Sequence, residues 1–519
     1  MRLQKINLLS RSSLLLTSLL LTSTLGFRQP CAAQAVATAP TATAPVVRTH
    51  AGQLQGAREG NMVVFRSVAY AEAPIGAQRF RPPQPLKPWQ GVRPATAPGP
   101  RAAQVSNGKL QGQEDCLMLN VWAPASATPK AKKAVVVWVH GGAFTGGTGS
   151  DFGGGNFAEH DDIVTVSINY RLGSLGFLYL GSALGPAYQN SGNCGVLDAV
   201  AALQWVHQNI SAFGGDPARV TVMGESAGAK LVSAILVTPA AQGLFQQAIL
   251  ESGSVQCVRD TATAATVTRR LLQELHLAPN QAKQLLTLPT ATLMQAQAKI
   301  TDGPTGLQLF GPVLDGKVIT TAPLTYLSRP NRTPLRVLLG TNRDEAGAFI
   351  NSWSTLAHPN PEVLTALFGK SNGYVWQAYT NRSQAQPAEQ AWQSTLTDYL
   401  YRLATYRLAQ TLVAAKQPVW LYRFDYQPSP TQPPVHAREL AYAWNSLPNE
   451  LASNVQNQRL ATEMHQQWVS FIKTGKPEAN WPAYTAASRN VMIFDSVSRA
   501  APLPAPYEDP AFPVQGLVL

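Results

Sequence analysis

Residues 220–229, Val-Thr-Val-Met-Gly-Glu-Ser-Ala-Gly-Ala, run an apolar strand-like segment into a serine set between small residues. A serine hydroxyl is a poor nucleophile until a neighbouring base takes its proton. Ser226 therefore has two readings. It is one residue of a tight turn, or it is a nucleophile held on a strained strand-to-helix elbow. The second reading makes demands that can be checked along the chain: donors for an oxyanion, a histidine base, and a carboxylate to orient that base. Donors are available where the apolar run 134–139 ends in His140-Gly141-Gly142-Ala143-Phe144. Small residues there let backbone N–H groups approach a substrate oxygen, so the expected donors are the N–H groups of Gly142, Ala143 and, just after the serine, Ala227. A carboxylate is available after the run 336–341, in Asn342-Arg343-Asp344-Glu345, where Asp344 and Glu345 both qualify on chemistry alone. Among the eight histidines, His50, His160, His276 and His358 lie in polar stretches, and His207 and His465 fall on helical patterns. His436, in a loop after a late strand, is the best candidate base.

These residues need elements to position them. AVVVWV (134–139) and IVTVSINY (163–170) are continuous apolar runs, the pattern of strands buried on both faces of a parallel sheet. ARVTVM (218–223), FQQAILESG (245–253), RVLLGT (336–341) and VWLYRFDY (419–426) extend the series, while 196–210 and 229–237 have helical spacing. Strands alternating with helices over this length predict an α/β fold with a mostly parallel sheet. Carboxylates and histidines on loops after strands then fall at the carboxyl edge, where such sheets place their sites.

The chain has 519 residues, 45% hydrophobic and 13% charged, enough to bury a large core. Its formal charge is +12, but Lys and Arg are scattered and the longest basic run is Lys130-Ala131-Lys132-Lys133, so no nucleic-acid partner is expected. Arg2, Lys5 and Arg11 precede an apolar stretch, 12–26, that is short and rich in Ser and Thr, and Ala33-Gln34-Ala35 offers a cleavage site. This reads as a secretory signal peptide over residues 1–35 and predicts a secreted or periplasmic protein without a stable membrane anchor. Residues 36–45, VATAPTATAP, read as a disordered low-complexity arm, and 46–519 as one large domain without an internal linker. Past the signal peptide, Cys116, Cys194 and Cys257 have no C-x-x-C spacing, so no metal or redox site is expected and three buried thiols are preferred.

Several segments together carry a family resemblance. RFRPPQPLKPWQGVRPA (79–95), EDCLMLNV (114–121), INYRLGSLGF (168–177), the run 192–229, LESGS (250–254), GTNRDEAG (340–347) and VHARELAY (435–442) resemble the type-B carboxylesterase and cholinesterase-like branch of the α/β-hydrolases, from about Val46 to Asp495. The resemblance implies a central sheet flanked by helices, with insertions forming an active-site gorge, no cofactor, and a small-molecule ester substrate. It implies a Ser226–His436–Glu345 triad, choosing Glu345 over Asp344, with Glu225 either a second carboxylate near the imidazolium or a buried hydrogen-bond anchor. It also exposes departures. Cys116 has no upstream partner for the cholinesterase disulfide, Ala348 stands where cholinesterases tend to have an aromatic ring, and TGLQLFG (305–311) offers only Phe310 where acetyl-selective members crowd the acyl pocket with Phe. The expected activity is hydrolysis of carboxylic esters with short to medium acyl chains, butyrate accepted at least as well as acetate, without choline selectivity. The rival readings are the same triad acting on an amide, carbamate or lipid ester, and a non-catalytic adhesion protein of the same superfamily. Oligomeric state is left open.

Overall fold

A computed structural model describes residues 44–151, 154–329 and 334–503. The proposed signal peptide and nearly all of the low-complexity arm lie outside the described residues. Pro45, at the arm's end, already accepts a hydrogen bond from the Gly56 N–H at 2.8 Å.

The frame is an eleven-stranded mixed sheet. Its strands are β1 (Ala57–Glu59), β2 (Met62–Ala69), β3 (Met118–Pro124), β4 (Lys133–Val139), β5 (Val164–Ile168), β6 (Gly215–Glu225), β7 (Gln247–Glu251), β8 (Arg336–Asn342), β9 (Val419–Phe424), β10 (Asn490–Phe494) and β11 (Arg499–Pro502). They lie in the order β11-β10-β9-β8-β7-β6-β4-β5-β3-β2-β1. Every pairing from β10 across to β5 is parallel, and the outer pairings are antiparallel. The sheet is thus mostly parallel, as the continuous apolar runs predict.

Those runs are apolar throughout because both faces are covered. Along β4, Val135, Val137 and Val139 join one core cluster, while Ala134, Val136 and Trp138 join the other. β8 divides the same way, Val337 and Leu339 on one side and Leu338 on the other. Helices α1 (Cys194–Asn209) and α2 (Ala227–Ile235) cover the first face. The second is covered by α3 (Val455–Thr474), through Trp468, Phe471 and Ile472. Each such side chain, fully buried, contributes about 1.5–3 kcal/mol. Helix α3 has both ends specified locally. The Asn454 side chain accepts from the N–H groups of Gln456 and Asn457 at 2.8 and 3.3 Å, and Gly475 closes the helix in the left-handed region at φ 78°.

The three cysteines of the domain are free and buried. Burial pushes the thiols of Cys194 and Cys257 up to about 11 and Cys116 higher still, so all three are protonated, inert packing residues. No helix among the described residues is long and apolar enough to cross a membrane.

Candidate active site

The elbow at Ser226 follows from close packing. β6 delivers the chain to Glu225, and Ser226 takes φ 54°, ψ −121° before α2 begins at Ala227. That conformation costs a non-glycine residue about 1–3 kcal/mol and persists only where its surroundings enforce it. Here the Ser226 N–H donates to the Glu251 carbonyl of β7 at 2.9 Å. Both flanking glycines are required by contact. A Cβ at Gly224 would lie 2.6 Å from the Gly228 carbonyl carbon, and one at Gly228 would lie 2.0 Å from the Val139 carbonyl oxygen. The G-x-S-x-G spacing is what lets α2 start so close to β4.

The structure brings Ser226, His436 and Glu345 together from three strand ends. Ser226 Oγ is 2.8 Å from His436 Nε2, and His436 Nδ1 is 2.7 Å from Glu345 Oε2. With a carboxylate at Nδ1, that nitrogen carries the proton and Nε2 accepts from the serine hydroxyl. Glu345 is fully buried and its second oxygen accepts from the Asn342 N–H at 2.7 Å, which fixes its plane. Asp344, equally eligible on chemistry, points away and pairs with Arg343 at 2.9 Å.

The loop that carries Gly142 and Ala143 has an unusual backbone. Gly142 has φ 107°, and Ala143 and Phe144 follow at 52° and 60°. The Gly142 carbonyl accepts from Thr145 and Gly146, both at 2.9 Å, which closes the turn and leaves the Gly142 and Ala143 N–H groups without an acceptor among the described residues. Ala227 opens α2, so its N–H lacks an intrahelical acceptor. His140 anchors this loop. Its ring stacks on Tyr170 at 4.6 Å and Nδ1 donates to the Gly141 carbonyl at 2.8 Å, while burial pulls its pKa to about 4 and keeps it neutral.

Glu225 Oε1 lies 3.1 Å from His436 Nε2 without a hydrogen bond, close enough to form an ion pair whenever the imidazole is charged. Burial raises Glu225 to about 7, with Glu345 adding to the rise and His436 opposing it. For His436, burial disfavours the charged form, but Glu225, Glu345 and Glu439 outweigh it and push its pKa to about 9. These carboxylates favour the charged form of the imidazole.

Three contributors escaped the reading of the sequence. Glu439, fully buried, accepts from Ser252 Oγ at 3.1 Å and from the Asn342 side chain, and burial with Glu345 and Glu225 raises it to about 8. Tyr401 lies 4.8 Å from the His436 ring and its hydroxyl interacts with Ser226. It sits on a π-helical turn, 398–402, a distortion that sequence periodicity does not report. Phe349 is 5.1 Å from His436, so aromatic rings gather at the imidazole although Ala348 contributes none. Glu439 was visible as a second acid three residues past His436; Tyr401 had no sequence signal.

The chain is similar to known proteins along nearly the whole of the domain. The sequence model of the carboxylesterase family matches residues 43–503. The para-nitrobenzyl esterase of Bacillus subtilis (strain 168) is 36% identical over 487 residues, covering 88% of this chain and 95% of that protein. The phenmedipham hydrolase of Pseudarthrobacter oxydans is 31% identical, covering 87% and 95%. The crystal structure of the Geobacillus stearothermophilus carboxylesterase EST55 superposes with a TM-score of 0.80 at 36% identity, covering 90% of this chain and 100% of that one. With an α/β-hydrolase sheet, a serine on its elbow and a match along nearly the whole domain, the chain belongs to the carboxylesterase family and is a carboxylic ester hydrolase.

Proposed function

We propose that Ser226 is the nucleophile of this esterase, His436 its general base and acid, and Glu345 the group that orients the imidazole. The observation that carries the reading is the hydrogen-bonded chain from Ser226 through His436 to Glu345, at 2.8 and 2.7 Å. Ser226 Oγ attacks the ester carbonyl as its proton passes to His436 Nε2. The N–H groups of Gly142, Ala143 and Ala227 hold the resulting oxyanion; each such donor is worth about 10²–10³ in rate. His436 then gives the proton to the departing alcohol, and water, activated by the same imidazole, releases the acid from the acyl-serine. Glu225 stabilises the imidazolium through charge.

The substrates are esters with short to medium acyl chains, butyrate at least as good as acetate, since Phe310 is the one ring in 305–311. Residues 1–35 are a signal peptide, 46–519 the hydrolase domain, and the enzyme acts outside the cytoplasm. The basic start, the apolar stretch 12–26 and the Ala33-Gln34-Ala35 site support export.

A fluorophosphonate label should attach to Ser226 and be lost in Ser226→Ala. Ser226→Ala and His436→Ala should each lose about 10⁴–10⁶ in turnover. Glu345→Gln should lose about 10⁴ while Asp344→Asn stays near wild type. Labelling that survives Ser226→Ala would refute the assignment of the nucleophile. N-terminal sequencing of exported protein should start near Val36; material retaining Met1 would refute cleavage.

A further inference from the structure

Among the described residues, two buried cations, Lys230 and Arg259, have no acid to pair with. Lys230 lies one turn along α2, its N–H donating to the Ser226 carbonyl at 2.9 Å. Residues four apart share a helix face, and helical side chains lean back toward the N-terminus, here toward Ser226. The Lys230 ammonium is 5.4 Å from the centre of the Tyr401 ring, which on its other side meets His436. Arg259 arrives from the segment after β7. Its N–H donates to the Pro312 carbonyl at 3.1 Å and its Nη1 to the Leu309 carbonyl, which lays the guanidinium along residues 308–312. A Cβ on Gly311 would come within 2.8 Å of Arg259 Nη2.

The two cations feel each other. Burial lowers the pKa of Lys230, Cys257 opposes that, and the charge of Arg259 lowers it further; Glu225 and Glu345 also act upward but form no ion pair with it. Burial likewise pulls Arg259 down to about 10. Among the described residues neither Lys230 nor Arg259 has a carboxylate partner. Arg259 Nε and Gln308 Nε2, both buried, donate to nothing. Lys230, Arg259 and Gln308 are 5%, 6% and 4% exposed, and the Arg259 Nε and Gln308 Nε2 atoms are shut off from solvent. Buried charge is normally paired. Buried donors without an acid, two of them positively charged, match one ligand chemistry, a carboxylate.

We propose that the acyl pocket of this enzyme binds a carboxylate carried by the acyl chain, so that half-esters of dicarboxylic acids are preferred substrates, with Arg259, Lys230 and Gln308 as the recognition group. The inference rests on the serine-esterase reading above and on the family resemblance that sets residues 305–311 on the acyl side. It requires no new step at Ser226. The anionic end of the chain is held away from the carbonyl, and hydrolysis releases the alcohol and then the dicarboxylate.

The test compares monoethyl glutarate with ethyl pentanoate, which have acyl chains of equal length, by following acid release in a pH-stat. Wild type should favour the half-ester in kcat/KM by about tenfold or more, equivalent to about 1.4 kcal/mol. Arg259→Met and Lys230→Met should each lower that ratio by about tenfold, and Arg259→Lys should restore part of it. A purely structural role would depress both esters alike and leave the ratio unmoved. If Arg259→Met does not fold, Lys230→Met and competitive inhibition of wild type by glutarate, but not by pentanoate, decide the matter. A wild type that prefers ethyl pentanoate, or a ratio insensitive to Lys230, overturns the proposal. Equal preference for a carboxylate in the alcohol half, as in 3-acetoxypropanoate, overturns its acyl placement. Failure to cleave either ester, together with no fluorophosphonate adduct, is instead a failure of the serine-esterase reading.

Discussion

Arg171 and Arg259 are both buried arginines close to the same sheet, and they are treated in opposite ways. Arg171 is saturated. Its Nε and Nη2 grip Asp198 at 2.8 and 2.6 Å, its backbone N–H donates to the same carboxylate at 3.0 Å, and its Nη1 donates to the Arg81 carbonyl at 2.7 Å. Burial works against its charge, but Asp198 prevails and the pKa rises. Arg259 has a carbonyl for one nitrogen and no acid, and there burial prevails and the pKa falls. The Arg171–Asp198 pair fastens helix α1 to the loop after β5, so its work is complete in the free protein. Among the described residues, neither Arg259 nor Lys230 forms an ion pair with a carboxylate. A buried pair is a strut, whereas a buried surplus beside a nucleophile is a binding determinant. Around the imidazole of His436 the neighbours are acids instead: Glu225, Glu345 and Glu439 are all buried and all favour its charged form.

Breaking the strut should give the largest effect. Asp198→Ala strands the Arg171 guanidinium in the interior and should cost about 3–5 kcal/mol in denaturant unfolding. The matching change at the unpaired site, Arg259→Met, removes an uncompensated charge and should leave stability within about 1 kcal/mol of wild type, because relief of desolvation offsets the lost bond to Leu309. If Arg259→Met falls as far as Asp198→Ala, Arg259 is a strut as well and the contrast fails. A smaller effect belongs to the acidic side. Activity needs neutral His436, so kcat/KM rises as pH climbs through the imidazole pKa, and the Glu225 charge holds that pKa up. Glu225→Gln should therefore move the rising limb to lower pH, toward the ordinary histidine value of about 6.5. A limb that stays in place or moves alkaline in a pH–rate profile would assign Glu225 a purely structural role.

Local patterns carried far in this chain because their causes are local. A strand buried on both faces of a parallel sheet must be apolar at every position, so β4, β6 and β8 announce themselves. An elbow that presses α2 against β4 leaves no room for a Cβ at Gly224 or Gly228, so Ser226 is marked by its neighbours. The loop at Gly142 is legible for the same reason: a Cβ there would lie 2.3 Å from the Gly146 carbonyl oxygen.

Contacts set by the meeting of distant segments were not legible. Asp344 and Glu345 are adjacent and chemically alike, and only the direction in which the chain leaves β8 sends one to Arg343 and the other to His436, 91 residues away. Tyr401 reaches the imidazole from a helical excursion between β8 and β9, on a π turn that shifts the helical face. The surplus of charge is the clearest case. Lys230 and Arg259 look unremarkable in a basic sequence, since lysine and arginine are ordinarily solvated. Whether a cation is paired depends on every group packed around it. That is a property of the folded interior, where Arg171 found Asp198 and Arg259 found no acid.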